Sequence, residues 1–222
     1  MSGFALSPDG VYRADILSAF PDLDHGFGTS ISLDWPPPAA ALKQVHGDLC
    51  HVAASAGDPV REGDALITRE AGVLVSVRTA DCIPVLLYDP VTRAAAAIHA
   101  GWRGTEARIA GKVAERMTSE FGSRAANVIA AIGPGIGPCC FEVGEEVARH
   151  FPRFTSRDRP KPRVDLWAAN RTQLAETGVR TIVVAALCTH CLAGRFHSYR
   201  RDKGPGRMTS LIGRRPAPGA QT

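Results

Sequence analysis

The chain has 222 residues, and 26 Lys and Arg against 22 Asp and Glu leave a formal charge of +4. With 45% hydrophobic and 22% charged residues it is composed like a folded globular protein, which excludes a disordered tail, a collagen repeat and a coiled coil. No apolar run reaches the ~18 residues of a membrane span.

No basic-then-apolar leader opens the sequence. One domain over residues 1–222 is expected, in the cytoplasm, with six Cys free or metal-bound rather than paired as a secreted framework. In chain order, Gly26-Phe27-Gly28 reads as the end of a short strand, and Trp35-Pro36-Pro37-Pro38 as a stiff connector. A strand is predicted over residues 42–45, bending at His46-Gly47. Residues 73–77, 84–88 and 94–98 are apolar and β-rich and predict three buried strands, the last ending at His99. Gly101 to Thr105 forms a turn. Thr105 then caps a helix to about Phe121, with Ile109, Val113 and Met117 at helical spacing. A strand over 128–132 opens into Gly133-Pro134-Gly135-Ile136-Gly137-Pro138, and a helix follows from about Glu142 to His150. Asp165 caps another helix to about Glu176, stopped by Gly178, and a strand over 181–187 leads to Cys188. This mixture, with short hairpin-like connections, predicts an α+β fold.

Charge is uneven. Residues 195–215 hold seven cations and one anion, Asp202, for a net +6, so the remainder is 4 − 6 = −2. Such a segment suits phosphate as well as nucleic acid. Without interleaved aromatics or a nucleic-acid fold signature, no nucleic-acid partner is expected. A second basic run, 153–163, is broken by Pro160 and Pro162 and reads as an exposed loop.

Three groups stand at strand ends: His46, Cys82 and His99. Two imidazoles and a thiolate suit zinc with a fourth position open. The competing readings are a buried Cys with two hydrogen-bonded core His, and a cysteine hydrolase with Cys82 as nucleophile and His99 as base. Copper fits less well. No Met lies near these groups in sequence for a blue-copper site, and seven His are too few for an additional oxygen-reducing cluster. Cys188-Thr189-His190-Cys191 is a C-x-x-C turn that needs two more ligands for a structural zinc, which Cys139-Cys140 or His197 would supply only through folding. No second metal is expected there. Gln44 shares a strand face with His46, and Asp81 adjoins Cys82 as a candidate proton shuttle. Arg103 at a helix entry, the loop amides of Gly133 and Gly135, and Arg200 and Arg201 of the basic segment are candidates for holding phosphate.

These residues fall in ordered phrases: Lys43-Gln44-Val45-His46-Gly47, Thr79-Ala80-Asp81-Cys82-Ile83-Pro84-Val85 and His99-Ala100-Gly101-Trp102-Arg103-Gly104. Ile132-Gly133-Pro134, Cys140-Phe141-Glu142-Val143-Gly144, Asp165-Leu166-Trp167-Ala168-Ala169-Asn170 and Ser198-Tyr199-Arg200-Arg201-Asp202 follow. From about Leu42 onward the chain resembles the YfiH-like laccase-domain family, also called multicopper polyphenol oxidoreductases. The resemblance implies a layered α/β/β/α sandwich related to putative cysteine hydrolases, with zinc at His46, Cys82 and His99. It implies phosphorolysis of adenosine, inosine or methylthioadenosine, with nucleoside and phosphate as partners and adenosine deamination as a further activity. Peptidoglycan editing through Cys82, polyphenol oxidation and a non-catalytic zinc domain are the alternatives. Two departures stand out. Phe27 is followed by Gly28-Thr29-Ser30-Ile31 rather than Arg-Gly-Gly, and the region before residue 42 is short, lacking a helix and an Arg. His190 and His197 stand where aromatic residues are commoner.

Overall fold

A computed structural model describes residues 3–216. The order begins with β1 (Phe4–Leu6), β2 (Tyr12–Ala14), the single-turn α1 (Asp15–Ser18) and β3 (Leu23–Phe27). β4 (Cys50–Val52), β5 (Ala65–Thr68), β6 (Leu74–Thr79), β7 (Ile83–Asp89) and β8 (Ala94–Ala100) follow. Next come α2 (Trp102–Glu106), α3 (Ile109–Phe121), β9 (Ile129–Ile132), α4 (Glu145–Ala148) and the short strands β10 (Thr155–Ser156) and β11 (Arg163–Val164). α5 (Leu166–Glu176), β12 (Thr181–Val184), α6 (Tyr199–Asp202) and β13 (Met208–Arg214) complete the order.

The strands make two large sheets, ordered β1-β2-β3-β13-β6 and β12-β9-β7-β8-β5-β4. The first is antiparallel. The second is mixed, with β12 parallel to β9 and β4 parallel to β5. Alternation along β7 and β8 shows why they sit at its centre. Ile83, Val85 and Leu87, with Ala94, Ala96 and Ile98, face one core together with Ile109, Val113 and Met117 of α3. Leu86 and Tyr88, with Ala95 and Ala97, face a second core between the sheets, against Val75, Val77 and Ile212. A strand covered on both faces reads as a continuous apolar run, which is why both were visible in sequence. Alanine is a poor strand former, yet five of the seven β8 residues are Ala. Tight packing on both faces makes small side chains fit. The mixed α+β class expected from the sequence is the class observed.

Several local expectations change. Residues 42–45 form no strand. Lys43 makes one bridge to Glu62, while the Gln44 side-chain amide takes the place of a strand neighbour by exchanging hydrogen bonds of 2.8 and 2.7 Å with the Arg78 backbone. Thr105 lies inside α2, and α3 begins after Arg108, whose φ is 64°. The helix expected over 142–150 contracts to the single turn α4. The strand expected to reach 187 stops at Val184, and Ala186 turns at φ 52°. Asp165 does cap α5, accepting from the Ala168 amide at 2.9 Å. The basic segment over 195–215 is partly buried, because β13 inserts between β3 and β6 with Leu211 and Ile212 fully buried. In the second basic run, β10 and β11 pair, and the buried Arg163 guanidinium binds both carboxylate oxygens of Asp158 at 2.8 and 3.0 Å. No helix among the described residues is long and apolar enough to cross a membrane.

Candidate metal centre and its cleft

His99 is the penultimate residue of β8 and pairs with Pro84 across the β7–β8 ladder, so it stands beside the start of β7, where Cys82 sits. His46 comes from the irregular segment before β4. Its φ of 62° is sparsely populated for a residue with a side chain. Asp64, fully buried just before β5, holds that bend. Its carboxylate accepts the amides of His46 at 2.9 Å and Gly47 at 2.7 Å, and Nδ1–H of His99 at 2.7 Å. One carboxylate thereby fixes the backbone that carries one imidazole and the tautomer of the other, leaving Nε2 of His99 as its free donor.

The ligand atoms of His46, Cys82 and His99 all lie within 4.8 Å of one another. The two imidazoles meet edge to face, with ring centroids 4.8 Å apart. Burial opposes ionisation of Cys82, but hydrogen bonding and charge from His46 and His99 outweigh it and bring the thiol down to about 6. Burial likewise opposes protonation of His99, and the bond to Asp64 reverses it upward. A thiolate and two fixed imidazole nitrogens converging at this spacing fit a zinc-type ion with an open fourth position. Gly101 leaves room for the approach: a Cβ there would lie 3.0 Å from Cys82 Sγ and 3.4 Å from the His46 ring, tight enough to displace one of them slightly.

The three ligands open onto a cleft of about 830 Å³. Gln44, Asp81 and Arg200 line it, as do Lys43, Arg78, Phe141, Tyr199 and Arg207, which the sequence reading left without a role. The Arg78 guanidinium carries no hydrogen bond or ion pair among the described residues. Arg200 donates to the Glu142 carbonyl at 2.9 Å and lies over the Phe141 ring, 5.6 Å from its centroid.

Other candidates are placed differently from expectation. Asp81, at φ 86°, accepts from Thr189 Oγ1 and from the Arg200 amide, both at 2.7 Å. Each of its oxygens accepts one of these bonds, so the carboxylate ties the Thr189 and Arg200 loops together at the edge of the cleft. Arg103 is exposed, 4.3 Å from the centroid of the Trp102 ring, and does not line the cleft. Arg201 is turned inward, binding the carbonyls of Thr189, His190 and Phe196. The Gly133–Gly137 loop offers no anion cradle. Its amides at Gly133, Gly135 and Ile136 bind the carbonyls of Pro84, Leu187 and Asp81. Gly133 and Gly135 instead allow close packing, since a Cβ would lie 2.2 Å from the Phe27 ring and 2.4 Å from Ile83 respectively. The C-x-x-C turn meets Cys139 and Cys140, with all four thiols within 4.8 Å of one another.

Comparison with known proteins follows the same residues. The multi-copper polyphenol oxidoreductase laccase family model matches residues 29–215. The chain belongs to this family. A relative of this laccase-family chain, the purine nucleoside phosphorylase of Bacteroides thetaiotaomicron, is 46% identical over 149 residues, 62% of the chain and 55% of that protein. The chain therefore spans little more than half the length of that relative. Adenosine deaminase RL5, from an unknown prokaryotic organism, is 42% identical over 149 residues, 62% of the chain and 56% of that protein. The crystal structure of Bacillus licheniformis hypothetical protein YfiH superposes with a TM-score of 0.86 at 25% identity, covering 97% of this chain and all of that one. The YfiH-like resemblance read from the motifs thus holds in both sequence and fold.

Proposed function

We propose that this chain is a zinc-dependent purine nucleoside phosphorylase that uses inorganic phosphate on adenosine, inosine or methylthioadenosine. The observation that carries the reading is the cleft itself, where a thiol–imidazole cluster stands beside cationic and aromatic side chains. The relative named for phosphorolysis supports it. The free cysteines fit a reducing compartment, which supports the cytoplasm.

In phosphorolysis a phosphate oxygen bonds to the anomeric carbon while the bond to the base nitrogen breaks. The base leaves with the electron pair and gains a proton. An anion must therefore be held next to a developing oxocarbenium ion. Arg78, with its unpaired guanidinium, is our choice to grip phosphate, with Arg207 extending the positive rim. Phe141 and Tyr199 give the purine apolar surface. Asp64 keeps His99 in one tautomer, and Gln44 ties the His46 segment to β6. His46, Cys82 and His99 would hold zinc, which when bound would supply Lewis-acid chemistry to the cleft.

The test is product chromatography after incubation with inosine and phosphate, beside a Cys82→Ala control. Hypoxanthine and ribose 1-phosphate from the wild type alone are expected. Base release that needs no phosphate, or equal release by the variant, overturns the reading. The similarity to a protein named adenosine deaminase favours a second activity at the same site, read as phosphate-independent conversion of adenosine to inosine with release of ammonia.

A further inference from the structure

The sequence places Cys139-Cys140 and Cys188-x-x-Cys191 far apart, and neither pair suffices for a metal. The fold changes that. β9 and β12 are parallel neighbours, so the loops that follow them emerge at the same end of the sheet. A bridge between Gly135 and Cys188 and the bond from the Thr189 amide to the Gly135 carbonyl, 3.0 Å, lock those loops side by side. Four sulfurs converge there. Cys191 Sγ lies 3.3 Å from Cys140 Sγ and 3.7 Å from Cys139 Sγ, and all four are within 4.8 Å of one another.

We infer that Cys139, Cys140, Cys188 and Cys191 form a second metal site, a closed four-thiolate site for a structural zinc ion that staples the two loops. The size agrees. A tetrahedron with Zn–S bonds of about 2.3 Å has edges of roughly 3.8 Å. A multi-iron cluster needs thiolates spread around its bridging sulfides, so a single ion fits these separations better. The surroundings suit thiolates. The Gly137 amide donates to Cys188 Sγ at 3.3 Å. The Arg201 guanidinium grips the Thr189 and His190 carbonyls at 2.9 Å, inside the C-x-x-C turn, and Arg163 donates to the Cys139 carbonyl at 3.5 Å. Four thiolates and one divalent cation carry a charge of −2, and backbone donors such as the Gly137 amide offset part of it, since the Arg163 and Arg201 guanidinium groups are themselves paired with Asp158 and Asp202. Uptake exchanges four thiol protons for the ion, with no change of oxidation state. With four protein ligands no position remains for substrate, so the role is structural. What it staples matters to the cleft, since Thr189 holds Asp81 next to Cys82, and Phe141 adjoins Cys140.

The test is a metal count on full-length protein purified from zinc-replete cells. Two equivalents are expected in the wild type. One is expected in Cys82→Ala, and one in Cys140→Ser/Cys191→Ser. Should the double variant not fold, metal-depleted Cys82→Ala protein is titrated with Co2+. A strong near-ultraviolet sulfur-to-cobalt band saturating at one equivalent supports the site, because the Cys82 site is already disabled there. The proposal is overturned if wild type holds a single equivalent that Cys82→Ala abolishes, if cobalt gives no such band, or if intact mass shows a disulfide within the four.

Discussion

Among the described residues two groups of side chains could hold a metal ion, and they are built by opposite means. His46, Cys82 and His99 come from three separate stretches of backbone, and a buried carboxylate that is not itself a ligand sets their geometry. Cys139, Cys140, Cys188 and Cys191 come as two pairs on two loops already joined by backbone hydrogen bonds. The first group has three donors and faces a cleft. The second has four donors and leaves nothing open. On the roles proposed above, donor number and the source of support separate chemistry from fastening.

The sharpest way to break that contrast is Cys82→Ala. It removes one of three ligands, so phosphorolysis should fall to background while the four-thiol ion is retained, as read by turnover and metal analysis on one sample. Asp64→Asn comes next. It leaves all three ligands in place but weakens the bonds to His99 and to the His46 bend, so metal affinity at the cleft should drop about 10- to 100-fold, measured by competition with a chromophoric chelator. An unchanged affinity would show that the ligands hold themselves. Arg78→Ala should raise KM for phosphate about tenfold and leave metal content at both clusters intact, the size expected for one exposed charge-assisted contact.

His25 sharpens the comparison by acting on neither cluster. Buried in β3, it accepts the Ala14 amide at Nε2, 3.1 Å away, and burial pulls its pKa from 6.5 down to about 4. On acidification the unfolded imidazole takes a proton first. Stability from neutral His25 is therefore complete above pH ~6.5 and is lost as pH falls toward about 4, by on the order of 3 kcal/mol. Urea midpoints should follow that window in the wild type and flatten in His25→Gln. Acid unfolding can then be told apart from proton competition for the ligands.

The elements legible in the sequence were those whose signal is local. β6, β7 and β8 appear as apolar runs, and α5 announces itself through the Asp165 cap and Gly178. Cys82 and His99 were legible as polar groups at strand ends, whereas His46 was read off a strand over 42–45 that does not form. β13 was not, because its partners β3 and β6 are remote in sequence and the surrounding Arg residues mask Leu211 and Ile212. Asp64 was missed for a similar reason, since nothing around it marks a carboxylate whose partner is His99, 35 residues away. The phosphate-loop reading of Gly133 and Gly135 failed because free amides and amides bonded to a neighbouring strand look alike in sequence. The thiol quartet depends on β9 and β12 being parallel neighbours, a fact of topology that spacing does not encode.

The alanines of β8 have a consequence for how this protein can change. Ala95 and Ala97 face the other sheet, Ala94 and Ala96 face the helical core, and all four are at most 1% exposed. A larger residue on either face must push a whole layer away, at a typical cost of about 1–3 kcal/mol. The same displacement would carry His99, two residues further along the strand, off its bond to Asp64. The position of an imidazole is thus protected by methyl groups further back along its strand, and sequence drift in this strand should be confined by volume long before it is confined by chemistry.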